Sequence, residues 1–287
     1  MGAIDGELNV KGLSFTYEDG TQALDHLSLT AHAGEVTGIL GANGAGKSTL
    51  FLTLNGVLTP TSGEVTLGGK PVSWRRRDLP ELRRRVGIVF QDPDDQLFSA
   101  DVYRDVSFGA VNLGLPEGEV RRRVEDALAR TGAAPFAHKP THALSYGQKK
   151  RAAIAGVLVM EPEVLILDEP TAGLDPEGVE EMVELLGELG RDRHRTILLA
   201  THDMDLVAQC CHRVCLLEAG RTVWQGTPPE LFRQRGLLEA HHLRLPPLAR
   251  LMAELAAAGC PTDPGAATVE AAKNQILPLW RERGEQP

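Results

Sequence analysis

Gly41-Ala-Asn-Gly-Ala-Gly-Lys-Ser-Thr49 follows directly on the apolar run Glu35-Val-Thr-Gly-Ile-Leu40 and continues into Leu50-Phe-Leu-Thr-Leu-Asn55. The spacing G-x-x-x-x-G-K-[ST] describes a cradle for phosphate groups. Backbone N–H groups wrap the anion, a helix N-terminus points at it, Lys47 reaches the β/γ-phosphates and Ser48 offers its hydroxyl to Mg²⁺. Glycine is needed where a Cβ would block close approach or where the loop turns through positive φ. Lysine is needed because a mobile point charge can follow the outermost phosphate. At average residue frequencies a chain of this length matches the pattern by chance about once in a hundred. The strand-like run before it and the helix-like Lys47–Asn55 after it are what the mechanism demands and what an ordinary Gly-rich turn would not need.

The 287 residues suffice for one large α/β domain with a smaller appendage, and a core of that size needs no disulfide staples. Four cysteines are too few for a framework. Cys210 and Cys211 fall in a helix-like stretch and Cys215 in the apolar run Arg213-Val-Cys-Leu-Leu217, so buried thiols are expected rather than a metal or redox cluster. A formal net charge of −9 argues against a nucleic-acid partner held by a broad basic face. The basic runs Arg75–Arg77, Arg83–Arg85 and Arg121–Arg123 have acidic neighbours and read as solvated helix faces. No apolar run approaches the roughly eighteen residues of a membrane span, and Met1-Gly-Ala-Ile-Asp-Gly-Glu7 carries neither a basic nor an apolar leader region. A cytosolic chain that reaches a membrane only through partners is expected.

Leu8 to Tyr17 alternates like a half-buried strand, Asp19-Gly20 marks a turn, and Leu27–Thr30 and Ser62–Gly69 continue an antiparallel pattern. Val86–Phe90, Val164–Leu167 and Thr196–Ala200 read as continuously buried strands of a parallel sheet. Helical periodicity covers Asp101–Gly109, Glu117–Gly132, Gly147–Met160, Pro176–Arg191 and Met204–Cys210, so strands and helices alternate as in an α/β fold with a helical insertion. Past Phe232 the chain is rich in Leu, Ala and Pro, and helices are expected at Leu237–Leu245, Leu248–Ala258 and Ala266–Arg281.

Val164-Leu-Ile-Leu-Asp-Glu169 has the form of a buried strand ending in two carboxylates. Downstream of a phosphate cradle the pair suits one acid, Asp168, holding Mg²⁺, and a second, Glu169, facing the attacking water. Leu144-Ser-Tyr-Gly-Gln148 opens a helix that Ser145 can cap, leaving N–H groups free to meet an anion. With Gln91 after a strand, Asp168-Glu-Pro170, Ala172-Gly-Leu-Asp175 and Thr201-His-Asp203, these motifs resemble those of the nucleotide-binding subunits of ABC (ATP-binding cassette) transporters, in the same order. The resemblance runs from about residue 7 to residue 230. It implies a P-loop NTPase cassette over residues 1–232, with a mainly parallel core sheet, an antiparallel β subdomain and an α-helical subdomain at about 92–163. A small helical extension would occupy 233–287.

By the same resemblance Tyr17 stacks on adenine; Gly41, Ala42, Asn43, Gly44, Ala45, Gly46, Lys47, Ser48 and Thr49 hold the phosphates; and Ser48, Gln91 and Asp168 hold Mg²⁺. Glu169 is the general base, and His202 contacts the γ-phosphate. Ser145, Gly147 and Gln148 bind the ATP held by a second subunit, at an interface organised by Asp175. The activity implied is ATP hydrolysis. Tyr146 departs from the family's usual glycine; an ordinary helical conformation is expected there, with the ring turned from the nucleotide.

Val86 to Ser99, Asp105-Val-Ser-Phe-Gly109 and Lys149 to Gly156 resemble the ATPase subunits of energy-coupling-factor (ECF) importers. Leu144–Arg151 and Leu245-Pro-Pro-Leu248 are similar to the cobalt and nickel branch. The implied partners are a second ATPase subunit, a transmembrane coupling subunit and a substrate-binding membrane subunit, at the cytoplasmic face of the membrane. A vitamin importer, a soluble ABC ATPase and a non-hydrolysing regulatory cassette are the rival readings. His241-His242 are expected on a helix surface, pointing to different sides, with no further ligand at metal spacing. Asp92-Pro-Asp-Asp-Gln-Leu-Phe98 is expected to offer a groove to a membrane-subunit helix, unless Leu97 and Phe98 simply pack the helical insertion on the sheet.

Overall fold

The computed structural model describes the backbone of residues 7–282 and side chains as far as 280. Residues 1–6, where no leader region was expected, and 283–287, the last of the expected extension, lie outside the described residues. The strands are β1 (Leu8–Thr16), β2 (Gln22–Ala31), β3 (Val36–Leu40), β4 (Ser62–Leu67), β5 (Lys70–Pro71), β6 (Val86–Val89), β7 (Val164–Asp168), β8 (Thr196–Ala200), β9 (Arg213–Glu218) and β10 (Arg221–Gly226). An antiparallel sheet has the order β2-β1-β4-β5, and a larger sheet the order β10-β9-β3-β8-β7-β6. In the larger sheet only the β10–β9 pair is antiparallel.

The helices are α1 (Lys47–Leu54), α2 (Leu79–Arg85), α3 (Val102–Asn112), α4 (Glu117–Arg130), α5 (Tyr146–Leu158), α6 (Pro176–Gly190), α7 (Met204–Cys210), α8 (Pro228–Phe232), α9 (Arg235–Ala240), α10 (Pro247–Ala257) and α11 (Val269–Glu282). The central strands read as unbroken apolar runs because both faces are covered, and successive side chains alternate between the two covers. Leu165, Leu167, Ile197 and Leu199 join one core with Val106 of α3, Val124 of α4, Ile154 of α5 and Leu186 of α6. Val164, Ile166, Leu198 and Ala200 join the other, with Leu8 and Leu24 of the antiparallel sheet and Phe51 of α1. α4 buries Val120, Val124 and Leu128, the spacing that marks one face of an amphipathic helix.

β10, like the short β5 and α8, is not marked by the sequence pattern, and α2 is marked only by the basic run Arg83–Arg85. β10 alternates exposed and half-buried residues at the sheet edge, and α2 buries only Leu82, so neither shows a strong apolar period. Arg75–Arg77 lie in a bend and turn rather than a helix. Arg85 and Arg123 are drawn from solvent: Arg85 Nε donates to Glu163 at 2.7 Å, and Arg123 bridges Glu119 and Glu161 at 2.6 and 2.9 Å. Cys210 and Cys215 are buried, and burial raises their thiol pKa values to about 11 and about 12. Cys211, at the end of α7, is half-buried, and burial pushes its thiol up as well.

The tail follows its apolar residues more closely than its expected helix limits. Leu238, Ala249 and Ala267 share a core with Phe232, Leu231, Met204, Leu40 and Leu216, so the apolar contact is continuous past Phe232. α9 ends at Ala240, and the helix expected as far as Leu245 stops there. His241 caps it, largely buried, with Nδ1 at 3.1 Å from Glu218; His242 is exposed at φ 58°. The two histidines therefore occupy a helix end and a left-handed turn, and only one is exposed. Among the described residues no helix is long and apolar enough to cross a membrane.

Candidate nucleotide site

Strand register gathers the chemistry at one edge. Ala200 is paired with Ile39 of β3 and with Asp168 of β7, and Val89 of β6 is paired with Leu167. The chain leaving β3, β6, β7 and β8 therefore emerges side by side, carrying the cradle, Gln91, Asp168-Glu169 and Thr201-His202. In a parallel sheet that carboxyl edge is where ligands bind.

The cradle leads from β3 into α1. Gly46 caps the helix at φ 101°, and a Cβ there would lie 2.6 Å from the Ala23 carbonyl oxygen, so handedness and space both demand glycine. Ala42, Asn43, Gly44 and Ser48 are exposed while Gly41, Ala45 and Thr49 are buried, which anchors the loop at both ends and leaves its crest open. Lys47 arches back over the loop, its Nζ donating to the carbonyls of Gly41 at 2.7 Å and Ala42 at 3.2 Å. Burial lowers the Lys47 pKa, and Glu169 and Asp168 partly restore it. Tyr17, just past β1, is 40 % exposed rather than part of the core. Its hydroxyl lies 3.1 Å from Thr49 Oγ1, and Phe15 meets the ring edge-on at 4.9 Å.

Asp168 ends β7. Burial raises its pKa, the neighbouring Glu169 raises it further, and Lys47 and Lys150 oppose the shift. It shares a cavity of about 490 Å³ with Ser48 and Gln91. Hydroxyl, amide and carboxylate oxygens are a donor set that suits a hard divalent cation, and two crowded carboxylates gain from one. Glu169 is held in a left-handed conformation at φ 45°, its N–H donating to the Ala200 carbonyl at 2.9 Å. One carboxylate oxygen lies 2.8 Å from His202 Nδ1; the other accepts from Thr201 Oγ1 at 3.3 Å. The His202 side chain is 79 % exposed against 12 % for Glu169, so the ring reaches out from a sheltered carboxylate.

Ser145 and Gln148 close a capping box at the start of α5. The Gln148 N–H donates to Ser145 Oγ at 3.3 Å and the Ser145 N–H to Gln148 Oε1 at 3.2 Å. Tyr146 takes the first helical position without positive φ, and its ring lies against Gly173. The ring thus turns toward loops of its own chain, with its hydroxyl donating to the Gln91 carbonyl at 3.3 Å. Asp175 caps α6, accepting from the Gly178 N–H at 2.9 Å. Ser145, Gly147, Gln148 and Asp175 line a second cavity of about 490 Å³, and none of them borders the cavity of Ser48, Gln91 and Asp168. Tyr146 borders both.

The family model described as ABC transporter matches residues 24–172, just over half of the chain. The energy-coupling factor transporter ATP-binding protein EcfA2 of Clostridium perfringens is 54 % identical over 245 residues, 85 % of this chain and 86 % of that protein. The chain belongs to the ATP-binding subunits of energy-coupling-factor ABC transporters. EcfA of Methanothermobacter thermautotrophicus is 45 % identical to this ECF cassette over 95 % of its length and 87 % of the relative's. Among solved structures, cbiO1 of Clostridium perfringens, part of the ABC transporter complex cbiONQ, is 54 % identical with a TM-score of 0.74, covering 86 % of this cassette and 98 % of that chain. A dimeric ATP-binding cassette in a post-hydrolysis state with ADP and Pi is 26 % identical with a TM-score of 0.70, covering 77 % and 98 %. The ECF cassette is accordingly an ABC-fold ATPase.

Two contacts of Glu169 were not anticipated from sequence. Thr201 bonds Glu169, and Lys150, only 1 % exposed, donates from Nζ to the Glu169 carbonyl at 2.8 Å. A lysine beside Lys149 and Arg151 reads as helix surface. The available signal was its place one turn before Ile154, on the face that α5 buries. In Asp92–Phe98 the two apolar residues part company: Leu97 packs on the core, whereas Phe98 is 66 % exposed. Asp94 is paired within the chain, Lys149 Nζ donating to its carboxylate at 2.6 and 2.9 Å.

Proposed function

We propose that this cassette works in pairs on the cytoplasmic face of the membrane, each chain supplying the phosphate cradle of one ATP site and the Ser145–Gln148 segment of the other. The observation that carries the proposal is that two cavities divide these residues: Ser145, Gly147, Gln148 and Asp175 line one, and Ser48, Gln91 and Asp168 of the same chain line the other. Residues 1–232, with the helical subdomain at 92–163, would form the motor and 233–287 an extension packed on it.

Tyr17 would stack on adenine, Gly41–Thr49 would hold the phosphates, and Ser48, Gln91 and Asp168 would hold Mg²⁺. When bound, that ion neutralises charge on the β- and γ-phosphates. The Glu169 carboxylate takes the proton of the attacking water, and His202, bonded to it at 2.8 Å, fixes its orientation and extends toward the γ-phosphate. Lys47, whose ammonium now serves two loop carbonyls, exchanges them for phosphate oxygens.

The docking site for a membrane subunit is proposed at a cavity of about 560 Å³ between the core and the helical subdomain, lined by Arg83, Phe90, Phe98, Phe108, Gly109 and Met160. Phe98 and Phe108 meet edge-on at 4.8 Å and are 66 % and 49 % exposed, an apolar seat for a short amphipathic helix. The proposed cargo, carried by the membrane subunits, is cobalt or nickel. The segments Leu144–Arg151 and Leu245–Leu248 support this branch, as does 54 % identity to cbiO1. Membrane vesicles holding the cassette with its membrane partners should take up radioactive cobalt or nickel when ATP is supplied on the cassette side. Vitamin uptake without metal uptake would overturn the cargo and keep the motor.

A further inference from the structure

Lys150 is a buried cation with no carboxylate at ion-pair distance among the described residues, yet it sits beneath the acids of the site. Its ammonium donates to the main-chain carbonyl of Glu169 at 2.8 Å, and the same oxygen accepts the Ala172 N–H at 3.1 Å. One turn earlier on α5, Tyr146 covers it, the ring centroid 5.5 Å from Nζ. Tyr146 also closes over the loop that follows: a Cβ on Gly173 would lie 2.8 Å from the ring. Glu169 itself occupies φ 45°, a conformation that a residue with a Cβ keeps only when its surroundings hold it. The main-chain restraints are the Ala200 bond at its N–H and the Lys150 and Ala172 bonds at its carbonyl.

We propose that Lys150 is a positioning residue for Glu169, shielded from water by Tyr146, so that the signature helix of each chain sets the geometry of that chain's own general base. This inference rests on Glu169 being the base. Its consequence is communication: α5 carries Ser145 and Gly147 toward the partner's nucleotide and Lys150 toward its own chain's carboxylate, and a shift of the helix reaches both. Burial lowers the Lys150 pKa to about 8, with Glu169, Asp168 and Asp92 opposing the shift, which is consistent with an ammonium kept dry for a specific bond.

The alternative, that Lys150 only fills space, makes the opposite prediction. An ammonium buried without a carboxylate partner carries a desolvation cost, so exchanging it for an apolar side chain of similar length is not expected to lower stability. Lys150→Met should therefore melt no lower than wild type, retain ATP affinity within about threefold, and lose kcat about ten- to a hundredfold, as a displaced reacting group does. Amide hydrogen exchange of the nucleotide-free chain should quicken at Glu169–Ala172, a readout that needs no turnover. Tyr146→Gly, which installs the family's usual residue, uncovers the ammonium without touching its bond, and should show an intermediate kcat loss with the same local exchange. It carries the test should Lys150→Met fail to fold.

Unchanged kcat and exchange in the folded variants would overturn the inference. A kcat loss accompanied by a lower melting temperature in both variants would do the same, assigning Lys150 to the core. If Glu169→Gln itself hydrolyses ATP normally, the assignment of the base has failed instead, and faster exchange in Lys150→Met would still report the positioning bond.

Discussion

Nδ1 of His202 lies 2.8 Å from Oε1 of Glu169, so side chains that follow two neighbouring parallel strands meet across the edge of the sheet. Asp168 and Ala200 are paired in register, and the next residues along, Glu169 and Thr201, bond as well. The carboxylate is held by two side chains and its own left-handed main chain, which is the fixed orientation that proton abstraction requires.

Glu169→Gln should slow hydrolysis by roughly 10²- to 10⁴-fold, the contribution expected of a general base, while ATP binding persists. With ATP bound and not cleaved, the variant should elute as a dimer in gel filtration. Steady-state turnover like that of wild type would remove Glu169 from the base role.

Lys47→Ala acts earlier in the cycle. The lost charge neutralises phosphate in the ground state as well as the transition state, so affinity and turnover should fall together. A nucleotide titration is the check; unchanged affinity would contradict the role given to the cradle lysine.

Asp168→Asn should stabilise the nucleotide-free chain. The Asp168 pKa is raised in the folded state by burial and by Glu169, so the folded chain binds the proton more tightly than the unfolded one. Stability then falls as pH rises from the unfolded value through the folded one, and the full cost persists at neutral pH. Removing the charge should raise the melting temperature at pH 7 by about 2–4 °C for each kcal/mol recovered. The same variant should lose the further stabilisation that wild type gains from Mg²⁺ with ATP. A lower melting temperature than wild type without nucleotide would disprove the account.

If the sites are composite, an inactive Lys47→Ala chain mixed with an inactive Ser145→Arg chain should regain activity, because one of the two sites in a heterodimer keeps both halves. ATPase assays of the mixture against each parent decide it. No recovery in demonstrated heterodimers would leave Ser145 as a helix cap alone, or require both sites to fire together.

Phe98→Ser with Phe108→Ser should leave ATP hydrolysis by the isolated cassette intact yet weaken its capture by detergent-solubilised membrane subunits. These rings are better targets than Asp94, whose substitution would also break its ion pair with Lys149. Normal assembly and uptake by the double variant would move the docking surface elsewhere, first to the basic residues from Arg75 to Arg85.

Local chemistry accounts for what could be read from residues in order. The cradle, the strand-end acids and the helix cap at Ser145 each depend on a few consecutive side chains and on backbone geometry within one loop, so they are legible without a fold. The buried strands are legible for a similar reason: a sheet covered on both faces leaves an apolar run with no polar interruption. β10 was invisible and α2 showed only as the basic run Arg83–Arg85, because an edge strand and a seven-residue helix with one buried side chain carry little period. The bonds of Glu169 to His202 and Lys150, the separation of the two cavities and the burial of His241 are different in kind. They join residues far apart in sequence, and strand order, register and the seating of α5 on the sheet decide them. Lys150 shows the limit most plainly: a lysine between Lys149 and Arg151 looks solvated until the Glu169 loop closes over its ammonium and offers a carbonyl in place of water.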